Sequence, residues 1–320
     1  MKQQKKINIL ATGCGGDLGA SVARICKSSE IFNRVIGCNN HDDHFSKYLY
    51  DDYHVVENFD SSNYKKQIHD IVISEYIDII VPLSEIELRL IQGRGLGDEY
   101  GGIPYLSANL ESLEIGLDKL LTAKMLEQAE LPFPQTHIFS EMEGRLSYPF
   151  IIKSRRGYGS NTVYLVEDSA QHQIYVSDYP DFIAQEYLNV DDAEYTCGLF
   201  ASKDSKTTRS IVMHRNLYEG TTSYGSVESF PDVDYILRQI AMELNLSGAI
   251  NVQLRITQKG PVVFEINPRF SSTVRFRHLM GFEDFIWSVQ DALKLPISEY
   301  HPPLPGTKFY RDSNEIIVGI

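Results

Sequence analysis

Alternating apolar and polar positions mark two neighbouring strands in the C-terminal part of the chain. They span residues 250–256 and 261–266 and flank a turn around Lys259 and Gly260, a pattern that predicts a β-hairpin. Polar residues two positions apart on a strand share one face of it. The polar residues spaced in this way are Asn251, Gln253 and Arg255 on the first strand, and Glu265 and Asn267 on the second. Pairing about the turn lets the oxygens of the asparagine, glutamine and glutamate side chains converge, and such a set of oxygen ligands suits a hard divalent cation.

The first third of the chain alternates short apolar runs with segments of helical periodicity. The strand-like runs are residues 7–11, 34–38, 53–56 and 78–82. Residues 61–75 have the spacing of an amphipathic helix, and strands that alternate with helices predict a parallel sheet with right-handed crossovers. A glycine-rich stretch, 93–102, marks a boundary. We therefore expect a Rossmann-like α/β domain at residues 1–107 and a second domain at 108–320.

The pattern changes beyond this boundary. The predicted helices are residues 118–129, 169–176, 231–245, 274–279 and 282–293. The predicted strands are residues 148–153, 163–166, 181–188, 194–200, 210–216, 226–230, 308–310 and 315–318. Residues 217–225 are polar and contain two glycines, so we expect a loop there.

Composition excludes several classes of protein. The chain has 320 residues, 42% of them hydrophobic and 23% charged, which is ordinary for a globular protein. Its net charge of −13 argues against duplex nucleic acid as a partner. No apolar run reaches the roughly 18 residues of a membrane span, so we expect a cytoplasmic protein without a membrane partner. The four cysteines are scattered and indicate neither a zinc site nor disulfides.

A glycine turn near the N-terminus supports an alternative function. Gly13, Gly16 and Gly19 follow the first strand with a spacing similar to that of the nucleotide-binding turn of short-chain dehydrogenases and sugar epimerases. Those enzymes also need a tyrosine with a lysine at the fourth following position, and none of the 19 tyrosines has one. The nearby His41 and His44 have metal-ligand spacing, but a solvated loop is the stronger interpretation.

Residues 148–163 have the features of a phosphate-binding hairpin. An apolar strand ends at Lys153, and a short turn with Gly157, Gly159 and Ser160 leads into the next strand. A lysine supplies a point charge for phosphate, and the backbone amides of such a turn can close over it.

Several of these motifs resemble those of one enzyme family. Gln253 followed by Glu265-Ile-Asn-Pro-Arg269 resembles the metal-binding hairpin of ATP-grasp enzymes, in the branch of carbamoyl phosphate synthetase and biotin carboxylase. Asp118-Lys119, with the helix and prolines that follow, also resembles this family, and the similarity extends over most of the chain. It implies a two-lobed α+β ATP-grasp domain, with an ATP-lid lobe at 118–188 and a metal-binding lobe at 189–320, after the N-terminal Rossmann-like domain.

The resemblance also implies roles for individual residues. The implied nucleotide-binding residues are Lys119, Lys153, Gly157, Gly159, Ser160, Glu186, Tyr187, Leu188 and Glu194. Glu186 and the backbone of the two residues after it would hold adenine, and Glu194 the ribose. The implied ligands of two Mg²⁺ or Mn²⁺ ions are Gln253, Glu265 and Asn267. Arg269 would hold the reacting carboxylate, and Lys153 would act with it in catalysis.

The implied reaction is the ATP-dependent joining of a small-molecule carboxylate to an amine through an acylphosphate. Ser272 occupies the place of a second arginine of carbamoyl phosphate synthetase, and the chain has a single grasp unit, so complete carbamoyl phosphate synthesis is not expected. The alternatives are an NADP-dependent epimerase or dehydrogenase and a non-catalytic ATP-binding regulator. Homodimerisation and the roles of His214 and Arg215 stay open.

Overall fold

The computed structural model describes residues 5–94, 102–157, 163–189, 193–218 and 220–312. These residues form three β-sheets. The first sheet is parallel and the other two are antiparallel. This mixed α/β architecture confirms the predicted fold class.

The N-terminal sheet has the spatial order β3-β2-β1-β4, with all neighbours parallel. Its strands and helices are β1 (Ile7–Thr12), α1 (Asp17–Ser28), β2 (Phe32–Asn39), β3 (Asp52–Val55), α2 (Tyr64–Ser74), β4 (Ile79–Pro82) and α3 (Glu85–Arg94). β1 and β4 are mainly apolar and almost wholly buried, as expected for strands covered on both faces of the sheet. The predicted alternation of strands and helices is therefore confirmed.

The second sheet forms the smaller lobe of the remaining chain, with the order β5-β8-β6-β7. Two helices, α4 (Leu110–Gly116) and α5 (Lys119–Gln128), lead into it. Its elements are β5 (Thr136–Ile138), β6 (Phe150–Ser154), β7 (Val163–Val166), α6 (Ser169–Asp178) and β8 (Phe182–Glu186). A compact apolar cluster that includes Phe139, Phe150 and Ile152 supports this lobe.

The third and largest sheet has the order β13-β12-β9-β10-β11-β14. Its elements are β9 (Ala193–Ala201), β10 (Thr208–Tyr218), β11 (Thr221–Glu228), α7 (Pro231–Glu243), β12 (Gly248–Thr257), β13 (Gly260–Asn267), α8 (Val274–Leu279), α9 (Asp284–Ala292) and β14 (Lys308–Tyr310). The apolar stripe of α7 packs on one side of this sheet, around Val233, Ile236 and Leu237.

A continuous hydrophobic core joins the N-terminal sheet to the largest sheet. It combines Ile9 and Val81 of the parallel sheet with Phe200, Phe285 and Trp287 of the C-terminal part. The domain limits at residues 107 and 108 stay a prediction, but the two parts bury their apolar surfaces against each other. Among the described residues, no helix is long and apolar enough to cross a membrane. All four cysteines are buried and unpaired.

The prediction of a polar loop at residues 217–225 is wrong. β10 runs on to Tyr218, β11 starts at Thr221, and these two residues pair with each other, so most of the segment belongs to two long paired strands. Threonine and tyrosine at 221, 222 and 224 favour extended backbone, and pairing with β10 outweighs the polarity of the segment. The predicted strand at 315–318 lies outside the described residues.

Candidate active site

A cleft of about 670 Å³ lies between the two antiparallel sheets. Every predicted site residue in the described part of the chain lines it. These residues are Lys119, Lys153, Gly157, Glu186, Tyr187, Leu188, Glu194, Gln253, Glu265, Asn267 and Arg269. Gly159 and Ser160, also predicted to bind nucleotide, lie outside the described residues. The fold thus brings together residues that the sequence separates by up to 150 positions.

The β12–β13 hairpin positions the oxygen-bearing side chains next to one another. Gln253 lies directly opposite Glu265, and Asn251 lies opposite Asn267. The register then skips Phe264, and this bulge leaves the phenyl ring lining the cleft with the ring centroid 6.0 Å from Nζ of Lys153. One carboxylate and two amide oxygens at paired positions form a donor set that fits Mg²⁺ or Mn²⁺.

Two lysines face this donor set. Nζ of Lys119 is 4.0 Å from Oε1 of Glu265. Lys153, at the end of β6, is only 7% exposed, and burial lowers its pKa to about 8, although the Glu265 carboxylate partly opposes that shift. A buried lysine beside a second lysine is costly without an anion, so this side of the cleft favours a strongly negative ligand.

The N-terminus of α5 contacts residues 155–157, at the start of the turn predicted to close over phosphate. Asp118 caps the helix by accepting hydrogen bonds from the backbone N–H groups of Leu120 and Leu121. The same carboxylate accepts a hydrogen bond from Nε of Arg155 at 2.9 Å and one from Nε of Arg156 at 3.0 Å. Burial raises the pKa of Asp118, but these hydrogen bonds outweigh it and hold that pKa below its ordinary value.

Lys119 makes a further contact between α5 and the turn that begins at residues 155–157. Its Nζ donates a 2.8 Å hydrogen bond to the backbone oxygen of Gly157. The lysine predicted to contact phosphate is therefore hydrogen-bonded to the turn predicted to cover that phosphate.

The hinge predicted to hold adenine is stabilised by Gln135, the residue before β5. The backbone N–H of Glu186 donates to the oxygen of Gln135 at 2.8 Å, and the Glu186 carboxylate accepts from the N–H of Gln135 at 3.2 Å. Tyr187 and Leu188 follow as half-buried residues on the cleft wall.

Two arginines that sequence reasoning left without a role hold Glu194. Arg215 donates to Oε1 of Glu194 through Nε at 2.9 Å, and Arg255 donates to Oε2 at 2.8 Å. Arg215 also donates to Oε1 of Gln253 at 3.0 Å. Arg255 shares a strand face with Gln253, which is visible in the sequence, whereas the position of Arg215 depends on the pairing of β9 with β10.

Arg269 lines the cleft two residues after Asn267 of the predicted metal ligands. The hydrogen bond recorded for its guanidinium goes to the backbone oxygen of Phe270, at 3.2 Å. Behind it, the buried Arg277 binds Ser271 and Thr273 at 2.8 Å and Asp284 at 2.7 Å. This network fixes the turn that carries Arg269 and leaves its guanidinium available to a ligand.

The glycine turn after β1 serves packing. A Cβ atom on Gly19 would lie 2.1 Å from the backbone oxygen of Cys14, so only glycine lets α1 approach the turn. Asp17 places a carboxylate in the first turn of α1, where a pyrophosphate would otherwise bind. His44 uses both ring nitrogens on Ser46 and Tyr53, which leaves none for a metal ion.

Comparisons with known proteins agree with this geometry. The ATP-grasp domain family matches residues 117–273. The chain is 24% identical over 196 residues to the carbamoyl phosphate synthase large chain of Acidobacterium capsulatum, covering 55% of this chain and 18% of that protein. It is 26% identical over 227 residues to the D-alanine–D-alanine ligase of Rhodococcus jostii, covering 57% of this chain and 59% of that ligase. The chain thus spans less than a fifth of the synthase.

The same likeness holds in three dimensions. The N5-carboxyaminoimidazole synthetase of Staphylococcus aureus, solved in complex with ADP, superposes with a TM-score of 0.72 at 16% identity. The superposition covers 96% of this chain and 81% of that one, so the shared fold includes the N-terminal sheet.

The fold and the cleft define a protein with a parallel N-terminal sheet and a two-lobed region that encloses the cleft. Residues 117–273, which contain every described site residue, match the ATP-grasp domain family. Its similarities are consistent with the branch of carbamoyl phosphate synthetase and biotin carboxylase, and they lend no support to the dehydrogenase alternative.

Proposed function

We propose that the protein is an ATP-dependent carboxylate-amine ligase that forms an amide or peptide bond and releases ADP and phosphate. The observation that carries the proposal is the meeting of Lys119, Lys153 and Glu265 in one cleft, with Gln253 opposite Glu265. Cations that face a hard-metal donor set suit the triphosphate of ATP.

Nucleotide would bind to residues of the cleft wall. The Glu186 hinge, with the backbone of Tyr187 and Leu188, would hold adenine, and Glu194 would accept hydrogen bonds from the ribose hydroxyls. Lys119 and Lys153 would neutralise the phosphates, and an anionic ligand favours the charged form of the buried Lys153. Binding of nucleotide therefore relieves the cost of two neighbouring ammonium groups.

Gln253, Glu265 and Asn267 would hold two Mg²⁺ or Mn²⁺ ions. Bound there, the ions would neutralise phosphate charge and align the γ-phosphate for transfer. Gln253 must then share its oxygen with Arg215 or give up that hydrogen bond. Glu265, which carries the negative charge of the set, is the ligand on which ion binding depends most.

The reaction would use Arg269 to hold the substrate carboxylate, because its planar donors match two carboxylate oxygens. The carboxylate attacks the γ-phosphorus in line, ADP leaves, and an acylphosphate forms. An amine then attacks the acyl carbon, loses a proton and displaces phosphate. Protein groups supply orientation and charge, which account for most of the acceleration in such transfers.

A panel of carboxylic acids and amines tests this function by phosphate release. The expected result is release that depends on MgATP, on one acid and on one amine. With hydroxylamine in place of the amine, the acylphosphate should be trapped as a hydroxamate of that acid. Nucleotide binding without acid-dependent release across the panel would instead identify a non-catalytic ATP-binding protein.

Assembly is a separate part of the proposal. Light scattering on the full chain would show whether it forms the homodimer that the sequence left open.

A further inference from the structure

A second cavity, of about 520 Å³, lies between α1 and α8 beside the cleft. On α1 it is lined by Asp17, Ser21 and Arg24, which fall on one helical face at spacings of four and three residues. Across from them, α8 contributes Arg275 and Leu279, four residues apart. Two helices from different parts of the chain therefore build one concave surface.

Two arginines in this cavity have no protein anion to bind. Arg24 and Arg275 are both half-buried. In the part of the chain that the structure describes, neither makes a side-chain hydrogen bond or an ion pair. Burial and the nearby Arg24 lower the pKa of Arg275, and no carboxylate opposes that shift. Guanidinium groups placed together without a counter-charge form a surface prepared for an anion.

The third arginine of the cavity is already occupied. Arg311 donates to the backbone oxygens of Thr222 and Ser272, lies over the ring of Phe276 and faces Asp17 at 3.8 Å. Asp312 also lines the cavity but is exposed. The three arginines outnumber the two carboxylates, and the unpaired charge belongs to Arg24 and Arg275.

A hydroxyl on the cavity wall adds a neutral hydrogen-bonding group. Ser21 lines the cavity, and its side chain has no hydrogen-bond partner among the residues that the structure describes. This hydroxyl is therefore available to an oxygen of a ligand in the cavity.

The cavity adjoins the proposed reaction centre. Asp17 and Ser272 line both it and the cleft that contains Arg269. Ser272 lies between Arg269 and Arg275 in the chain, so a single short segment carries the two guanidinium groups.

We propose that Arg24, Arg275 and Ser21 bind an oxyanion group, a phosphate monoester or a carboxylate, on a substrate whose reacting end lies in the cleft. This inference rests on the proposed ligase function and names a class of substrate for it: a molecule with an anionic group away from the bond being formed. The substrate would span the two cavities past Ser272. The exposed apolar wall of the second cavity, which includes Leu279 and Tyr310, would contact the carbon atoms that connect the two ends of the substrate.

Calorimetric titration of orthophosphate and of succinate into the full chain tests the site. The non-hydrolysable MgAMPPNP is present at saturation, so that the phosphate subsites of the cleft are filled. We expect at least one of the two anions to bind, and Arg24→Gln and Arg275→Gln each to weaken that binding by about tenfold or more. Arg238→Gln, which removes an exposed arginine on α7, is the matched control and should bind like the unmodified chain.

Thermal melting separates a binding role from a structural one. Because Arg24 and Arg275 lack a counter-charge, replacing either by glutamine should leave the melting temperature unchanged or raise it without added anion. The anion should stabilise the unmodified chain and the Arg238→Gln variant but not the other two. A lower melting temperature in both cavity variants without anion, together with unchanged anion affinity, overturns the proposal.

The titration does not depend on turnover, so the two proposals fail separately. Orthophosphate binding without succinate binding assigns a phosphate monoester, and comparable binding of both assigns a site that also accepts carboxylate. Absence of binding of either anion, or equal binding by all variants, removes the oxyanion site and leaves the ligase proposal standing. Arg275-dependent binding in a chain that turns over no acid and amine pair removes the ligase proposal alone.

Discussion

The guanidinium of Arg215 donates a 3.0 Å hydrogen bond to the side-chain oxygen of Gln253. A fixed positive charge thus touches one of the three residues expected to bind metal ions. The same guanidinium also binds Glu194, so its position is set from two strands, β9 and β12. The residues expected to bind metal therefore differ in how free their oxygens are, since Glu265 has no such arginine hydrogen bond among the described contacts.

Metal affinity should reflect this inequality. Glu265→Gln should lower Mn²⁺ affinity in the presence of ADP by more than about tenfold, because it removes the charged ligand. Gln253→Ala should cost less, since its oxygen is already shared with Arg215. Electron paramagnetic resonance of free Mn²⁺ measures both affinities. Equal losses in the two variants would contradict the inequality.

Turnover offers a second measurement on the same residue. Glu265→Gln should abolish ADP formation while its melting temperature stays close to that of the unmodified chain, because the side chain is partly exposed in the cleft. Substantial residual turnover would show that Glu265 does not bind the ions.

The hairpin shows how much of the site the sequence could predict. Alternation placed Gln253 with Asn251 on one strand face and Glu265 with Asn267 on one face of the other strand. Their meeting depends on the bulge at Phe264, because the register at the turn would pair Gln253 with Phe264 if it continued unchanged. Lys153 could also be predicted from the sequence, since it lies at the end of an apolar strand and just before a glycine turn.

The contacts of Arg215 could not be predicted in the same way. They depend on the long-range pairing of β9 with β10 and β12, which no local pattern records. The error at residues 217–225 has the same origin, because cross-strand pairing determined the strand ends. The bulge at Phe264 also escaped prediction, although three consecutive apolar residues at 262–264 interrupt the alternation there.

Ribose recognition can be tested at Glu194. If its carboxylate accepts from the ribose hydroxyls, the chain should prefer ATP to 2′-deoxy-ATP by about tenfold, which is the value of one charge-assisted hydrogen bond. Glu194→Gln should reduce that preference by weakening the acceptor. Competitive nucleotide binding measures the ratio, and Glu228→Gln on β11 of the same sheet is the control. A preference that persists in Glu194→Gln would assign the ribose to another residue.

Gly198 tests the buried network behind Arg269. A Cβ atom there would lie 2.7 Å from Cδ of Arg277 and 2.8 Å from a ring carbon of Phe282. Because both side chains are buried, Gly198→Ala should destabilise the protein by about 1–3 kcal/mol. Gly93→Ala, at an exposed helical glycine with open space, should instead stabilise by about 0.5–1 kcal/mol. Urea denaturation measures both, and an unchanged Gly198→Ala variant would show that Arg277 can move.

Glu87 should make stability depend on pH. It is 3% exposed, accepts hydrogen bonds from Thr12 and Tyr64, and burial raises its pKa to about 7. A raised pKa in the folded state means that the folded chain binds more protons between pH 4.5 and 7. This contribution is therefore complete below pH 4.5 and is lost as the pH rises to about 7, with a total of roughly 3 kcal/mol.

Glu87→Gln should remove that dependence, because the amide keeps the shape of the side chain and does not ionise. Its free energy of unfolding should fall less steeply between pH 5 and pH 7.5 than that of the unmodified chain, as measured by urea denaturation at several pH values. Glu57→Gln is the control, since Glu57 is exposed and its pKa is lowered by hydrogen bonds from Ser61 and Asn63. If Glu87→Gln kept the full pH slope, another buried group would have to be its source.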